Sequence, residues 1–314
     1  MTSVFINRIA TAVPDFDIHN KFIEYCPCLL PDKRSVKVFQ RMAERAQIEQ
    51  RFAFILAKRA LDQLDLSSTT HLVTTTCTGF YAPGLDHQLI HHYGLPGSVE
   101  RTNVGFMGCY AAINALKLAR HIVRSEPDAK VLVLNLELCT LHLKPTGTLE
   151  EILSFAIFSD GCAASIVTAE STGLEIQGFN TDVLPETEAL ITWRIGNQGF
   201  DMQLSGKVPG VIASHLPLMM TKLLDGYQRS DIAHWAIHPG GRTVLDAVKA
   251  GAELEENQLI ASREVLRKFG NMSSATIMFV LQAMMNNPKK PGPGLAMAFG
   301  PGLTVESMIF DLKG

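Results

Sequence analysis

Three residues of this chain have neighbours that suit covalent acyl chemistry: Cys109, His238 and Asn271. Cys109 follows Gly105-Phe106-Met107-Gly108, a tight turn that glycine permits, and opens a run of strong helix formers reaching Arg124. A cysteine in an apolar helix is, taken alone, most often inert packing. At the first turn of a helix, unpaired N–H groups and the positive dipole end favour a thiolate, and a nearby histidine lowers the thiol pKa further. The thiolate is the nucleophile of acyl transfer. His238 ends the apolar run Trp235-Ala236-Ile237 and precedes Pro239-Gly240-Gly241, so its ring sits at a strand's C-terminal edge, where open α/β sheets place their sites. Alone it reads equally well as a structural ring. Asn271, after Gly270, suits either a helix N-cap or a donor to an oxyanion. Together the three make one nucleophile and two polarising groups, able to stabilise an enolate or a tetrahedral oxyanion.

The elements that must position them alternate between strand and helix. Residues Ser3 to Ala12 and His71 to Thr76 read as strands, and residues 33–49, 55–65 and Leu85 to His92 as helices. Thr102 to Val104 is a short strand ahead of the Cys109 helix. Val131 to Leu136 is almost wholly apolar, which implies burial on both faces of a sheet held between helices. Another buried strand follows Asp160-Gly161. The second half repeats this grammar, with strands at Trp235–Ile237, Leu295–Phe299 and Thr304–Leu312. Its helices are Thr243–Ala250, Asn257–Phe269 and Ser273–Met285. Gly108-Cys109-Tyr110-Ala111-Ala112 and Gly270-Asn271-Met272-Ser273-Ser274-Ala275 both put a polar residue at a glycine-to-helix junction followed by tiny residues. That correspondence suggests a duplicated α/β unit.

Composition limits the alternatives. In 314 residues, 46% are hydrophobic and 19% charged, which suits a large folded core. Lys+Arg against Asp+Glu gives 28 − 31 = −3, a poor match to a nucleic-acid or membrane-surface binder. No run of about 18 apolar residues suggests a membrane span. Asn7 and Arg8 interrupt the N-terminal apolar run, so a signal peptide is not expected. Six cysteines in this length are no disulfide framework, and Cys26-Pro27-Cys28 has no second pair to complete a zinc site. The expected compartment is the reducing cytoplasm.

Six motifs in order carry a family resemblance. They are Cys77-Thr78-Gly79-Phe80-Tyr81-Ala82-Pro83-Gly84-Leu85-Asp86, Gly108-Cys109-Tyr110-Ala111-Ala112, Phe158-Ser159-Asp160-Gly161, Ile237-His238-Pro239-Gly240-Gly241, Phe269-Gly270-Asn271-Met272-Ser273-Ser274-Ala275 and Phe299-Gly300-Pro301-Gly302-Leu303-Thr304. With these the chain resembles the type III polyketide synthases, the chalcone-synthase-like branch of the thiolase fold. The resemblance implies a five-layer αβαβα architecture from two pseudo-duplicated halves, residues 1–170 with the cysteine and 171–314 with the histidine and asparagine.

By resemblance, Cys109 holds starter and growing chain as a thioester. His238 and Asn271 bind the malonyl thioester carbonyl, promote decarboxylation and stabilise the enolate, and His238 keeps Cys109 ionised. Phe158 matches an aromatic gatekeeper, and Met202 stands where many plant relatives have a second gatekeeping Phe. Cys77 matches a cavity-wall position, although a buried small residue is an equally good reading. Cys139 and His142 follow a buried strand and are expected in the same cavity, and Thr78, Gly300 and Pro301 belong to the matching substrate-binding motifs. Arg41 and Arg45 fall on the helix whose basic residues meet coenzyme A phosphates in relatives, or else on a solvated face. Between Phe54 and Ile55, relatives carry a further stretch of about 30–40 residues. Its loss would uncover part of the entrance and of the dimer surface.

The expected activity is an acyltransferase reaction, iterative decarboxylative Claisen condensation of malonyl-CoA onto an acyl-CoA starter, then cyclisation to a pyrone or phenol. Coenzyme A thioesters are substrates, no metal or redox cofactor is required, and a homodimer is implied. Two other readings stay open: a single-condensation enzyme like ketoacyl synthase III, and a silent homologue acting as a partner subunit.

Overall fold

A computed structural model describes residues 2–14, 16–17, 24, 32–46, 52–53, 57–79, 81–142, 151, 154, 156–196, 199–286 and 291–313. The strands are β1 (Phe5–Ala12), β2 (His71–Thr76), β3 (Glu100–Gly105), β4 (Val131–Leu138), β5 (Asp160–Thr168), β6 (Leu174–Val183), β7 (Ile191–Gly196), β8 (Gly199–Leu204), β9 (His234–Ile237), β10 (Gly292–Gly300) and β11 (Thr304–Leu312). The helices are α1 (Lys33–Ala46), α2 (Ala57–Leu61), α3 (Leu85–Tyr93), α4 (Ala111–Ser125), α5 (Val208–Leu223), α6 (Arg242–Gly251), α7 (Ile260–Phe269) and α8 (Thr276–Asn286). The short strands Phe16–Asp17 and Phe52–Ala53 pair with each other.

Nine strands form one sheet in the order β9-β10-β11-β6-β1-β5-β4-β2-β3. Within it the same pattern occurs twice. In the first half β2 runs parallel to β4, β4 antiparallel to β5, and β5 antiparallel to β1. In the second half β9 runs parallel to β10, β10 antiparallel to β11, and β11 antiparallel to β6. The halves join through the two-rung contact Phe5↔Glu175 and Ile6↔Leu174.

Alternation along the strands builds the layers, because successive side chains leave a strand on opposite faces. On β4, Val131 and Val133 join a central cluster with α4 and α8, while Leu132 and Leu134 turn outward to α2 and α3. On β10, Ala296 and Ala298 face the same central cluster, while Leu295 and Met297 pack toward α5, α6 and α7. The central cluster holds α4 and α8 between the two halves of the sheet, and the other two clusters join each half to its outer helices, giving five layers, αβαβα, as expected of the thiolase-like fold. The stretches Val131–Leu134 of β4 and Leu295–Phe299 of β10 are covered on both faces, which is why they lack a polar alternate.

The sequence underestimates how the central helices begin. Cys109 and Ser273 each lie in a 3-10 turn, Gly108–Tyr110 and Ser273–Ala275, and the α-helices proper start afterwards at Ala111 and Thr276. The two turns pack against each other. Strand β6, the β7–β8 hairpin and α5 are additional to the elements read from sequence. Leu116 is fully buried in the central cluster. Leu116→Ala is expected to cost about 2–5 kcal/mol in urea unfolding, and a cost under about 1 kcal/mol would contradict close packing of the central layer.

Candidate active site

The ends of both halves meet around one cavity of about 470 Å³. Cys109 reaches it because the chain makes an abrupt turn just before. Phe106 and Gly108 both have positive φ, 58° and 73°, and a Cβ on Gly108 would collide with the ring of Pro301. The turn therefore needs glycine for conformation and for space.

Asn271 is fixed from several sides. Its backbone N–H donates to Ile157 O at 3.1 Å, and its C=O accepts from Ser159 N–H at 2.9 Å. Its Oδ1 accepts the Ser273 N–H at 2.9 Å, and its Nδ2 donates to Gly240 O at 3.3 Å. The side chains of Ser273 and Asn271 both favour the ionised form of the Cys109 sulfur. His238 is held at the end of β9 by its N–H bond to Met297 O, 2.8 Å, and its ring is fully buried with no partner on either nitrogen among the described residues. A buried imidazole without a partner costs about 1–3 kcal/mol per unsatisfied nitrogen. It faces the same cavity as Cys109 and Asn271.

Burial dominates the charges here. It pushes the Cys109 thiol up to about 12, with Ser273 and Asn271 opposing and Glu137 adding to the rise. It pushes the His238 imidazole down to about 3. Burial thus works against the ionised Cys109 that the helix terminus and the histidine favour. The α-helix begins two residues beyond the sulfur, and Glu137 opposes a thiolate beside it. Burial favours the thiol and the neutral imidazole over either ion alone. A thiolate arises here by moving the thiol proton to the imidazole, which creates both charges together rather than one alone.

Cys77, Thr78, Cys139, His142, Phe158, Met202, Gly300 and Pro301 all line this cavity with the three central residues. Cys77 accepts the Gly108 N–H on its sulfur at 3.1 Å, and burial raises the thiols of both Cys77 and Cys139. Arg41 and Arg45 lie on α1, and their side chains fall outside the described residues, as do Cys26, Cys28 and the Phe54–Ile55 junction.

Three features went unread in the sequence. Glu137 is fully buried, accepts from Cys77 N at 3.0 Å, Thr78 Oγ1 at 2.9 Å and the Ser274 hydroxyl, and burial raises it to about 7. Its signal was a charged residue inside a strand that is apolar but for Asn135. Ser273, on the sulfur, looked like one more tiny residue. Trp193 stacks on Phe200 with ring centroids 5.0 Å apart, and the His142 ring meets both edge-on.

A thiol, an imidazole and a carboxamide around an apolar cavity, where two pseudo-equivalent halves meet, define a condensing enzyme of the thiolase fold. Comparison with known proteins narrows this. Residues 57–171 match the N-terminal domain of the chalcone and stilbene synthases and residues 175–312 their C-terminal domain. The chain belongs to that family and is a type III polyketide synthase. It is 36% identical over 271 residues to the alpha-pyrone synthesis polyketide synthase-like Pks18 of Mycobacterium tuberculosis, covering 82% of this chain and 69% of that protein. It is 35% identical over 260 residues to bisdemethoxycurcumin synthase of Oryza sativa, covering 76% of this chain and 65% of that one. Among solved structures, PKS-I of the brown alga Ectocarpus siliculosus aligns with TM-score 0.92 and 28% identity over 100% of this chain and 99% of that one. The type III domain of Steely1 from Dictyostelium aligns with TM-score 0.92 and 25% identity over 99% of each.

Alkylation of Cys109 by iodoacetamide tests the neutral pair. Because the folded thiol pKa is raised, the rate is expected to climb as pH increases from about 7 to about 9. His238→Gln should lower it roughly 100-fold through loss of the proton acceptor. A rate flat in pH and indifferent to His238 would contradict this account.

Proposed function

We propose that this polyketide synthase carries out iterative decarboxylative Claisen condensation on coenzyme A thioesters, with Cys109 as the acyl carrier. The observation that supports it is the grouping of Cys109, Asn271, Ser273 and the His238 ring, which has no partner among the described residues, around one cavity. The imidazole takes the proton from Sγ as sulfur attacks the starter thioester carbonyl. Coenzyme A leaves with a proton, and the acyl group rests on Cys109. A malonyl thioester then places its carbonyl oxygen against the His238 and Asn271 donors. The C–CO2 bond breaks, its electron pair becomes the enolate, and the enolate carbon attacks the Cys109 thioester, displacing the sulfur. Each donor to the developing oxyanion contributes about 2.7–4 kcal/mol. Carbon dioxide loss drives the carbon–carbon bond, and no electron transfer is needed, so the chemistry calls for no resident cofactor. The released chain closes to a pyrone or a phenol, and the likeness to an alpha-pyrone-forming relative favours the pyrone.

The purified protein, given malonyl-CoA and a panel of acyl-CoA starters, is expected to release polyketide. Cys109→Ala should abolish it, and Asn271→Ala should reduce malonyl-CoA decarboxylation by about 10²–10³-fold. Product that needs an acyl carrier protein and stops after one extension would instead identify a priming enzyme. An inert wild type would identify a silent partner subunit.

The same reading includes a homodimer. β3 lies at an edge of the sheet and is exposed along most of its length, unlike the inner strands. Phe106 and Met107 follow it with 37% and 36% of their surface exposed. An edge strand with adjacent apolar side chains is suited to pairing with a second copy. The free thiols of Cys77, Cys109, Cys139 and Cys162 suit a reducing cytoplasm. No helix among the described residues is long and apolar enough to cross a membrane. Sedimentation is expected to give twice the 34.4 kDa chain mass, with Thr102→Pro shifting the protein toward monomer. A wild-type monomer at micromolar concentration removes the dimer from the proposal.

A further inference from the structure

The carboxylate of Asp160 stands outside the chemistry just described, yet it is 2% exposed and has no cationic partner in the described structure. Two hydrogen bonds satisfy it, both from one residue: the Thr140 N–H donates to Oδ1 at 2.8 Å and the Thr140 hydroxyl to Oδ2 at 2.6 Å. Its position explains the arrangement. Leu138↔Asp160 is the last rung of the β4–β5 ladder. Beyond that rung, the β4 chain turns into the 3-10 segment Cys139–His142. Asp160 therefore caps, from the neighbouring strand, a turn that lacks an acidic cap of its own.

What that turn carries makes the cap consequential. His142 bonds through Nε2 to Thr78 O at 2.8 Å, and its ring packs edge-on against Trp193 and Phe200 at 5.1 and 5.0 Å. Trp193 in turn donates from Nε1 to Cys77 O at 2.7 Å. The β7–β8 hairpin and the Cys77–Thr78 segment are thus joined through His142, and these pieces form one wall of the cavity. At its other end, the segment holding Asp160 pairs through Ile157 and Ser159 with the backbone of Asn271. One short stretch consequently sets both the catalytic carboxamide and the aromatic wall.

We propose that Asp160 is a positioning residue which, by clasping Thr140, holds His142 and the Trp193–Phe200 stack in register with the Cys109 site and so governs which product the growing chain becomes. The inference rests on the polyketide-forming reading above, because the wall matters where a chain is extended and folded. Releasing the clasp loosens the wall without removing any group that touches the reacting atoms. Misplacing a surface that orients a reactive chain by about 1 Å is enough to change rates by on the order of 100-fold.

The test has two independent readouts. The chain has two tryptophans, and Trp235 is 1% exposed, so acrylamide quenching of fluorescence reports Trp193. Asp160→Ala and Thr140→Val are expected to increase that quenching and to change the ratio of products by about tenfold. With Asp160→Ala, decarboxylation of malonyl-CoA should stay within about twofold of wild type. Thr140→Ser, which keeps both donors, should restore wild-type quenching and products. Unchanged quenching and unchanged products in a folded Asp160→Ala protein would overturn the proposal. So would a fall in decarboxylation as large as the change in product ratio, which would mark a general structural defect. If Asp160→Ala does not fold, Thr140→Val, which retains the backbone bond, decides the matter. If wild type makes no polyketide, the functional reading fails, and quenching alone still decides whether Asp160 holds the wall.

Discussion

The pairing of Asn271 with the Ile157–Ser159 segment is the constraint on which the rest of the site depends. Asn271 belongs to the second half of the molecule, and that segment to the first. Through this backbone contact the carboxamide is placed within reach of the Cys109 sulfur, while its own side chain reaches back to Gly240, two residues past His238. A side chain anchored by its main chain on both sides keeps its direction without help from a ligand, and such preorganisation is what makes a hydrogen-bond donor effective toward a developing oxyanion. Gly161 supports the contact from below, since any side chain there would occupy the space of Met272.

Burial around this contact sets the electrostatics. The cavity is apolar, and its ionisable groups are driven toward their neutral forms: Cys109 up to about 12, His238 down to about 3, Glu137 up to about 7. A site in this state binds an uncharged thioester carbonyl without first displacing a standing charge. It also makes each hydrogen bond to a transient anion stronger than it would be in water, because the surroundings screen it less. The Glu137 carboxyl is tolerated by the same logic in reverse. It is surrounded by the Cys77 N–H and the Thr78 and Ser274 hydroxyls, which supply what burial removes.

Much of this was visible in the residues. Val131–Leu136 is almost wholly apolar, so a sheet held between helices was legible there, while the five layers came with the family resemblance. Cys109 and Asn271 stood out because each follows a glycine, and His238 because Pro239-Gly240-Gly241 comes after it at the end of a strand. The hidden parts depend on distance in space. Nothing near Trp193 announces that it will stack on Phe200, because the pair forms only when the hairpin register Met202↔Trp193 is set. The burial that raises the Cys109 thiol is likewise invisible locally, because local rules weigh the helix terminus and the histidine, whereas burial by the opposite half is a tertiary effect. The start of α4 was read two residues early because strong helix formers do not reveal that Gly108–Tyr110 closes as a tighter turn.

Duplication accounts for why the site exists at only one place. In the first half, β3 pairs alongside β2 at the sheet edge. In the second half, no strand among the described residues takes the corresponding place beside β9, and β9 ends the sheet. The chain that would have supplied it arrives at Gly270–Asn271 and bridges Phe158 of the first half instead. This bridge adds a second contact between the two units, at the end that carries the site. The Gly108–Tyr110 and Ser273–Ala275 turns lie against each other, with Cys109 on one and Ser273, which favours its thiolate, on the other. A symmetric pair of halves would have buried two equivalent junctions apart from each other. The asymmetry converts them into a single cavity with different chemistry on each side.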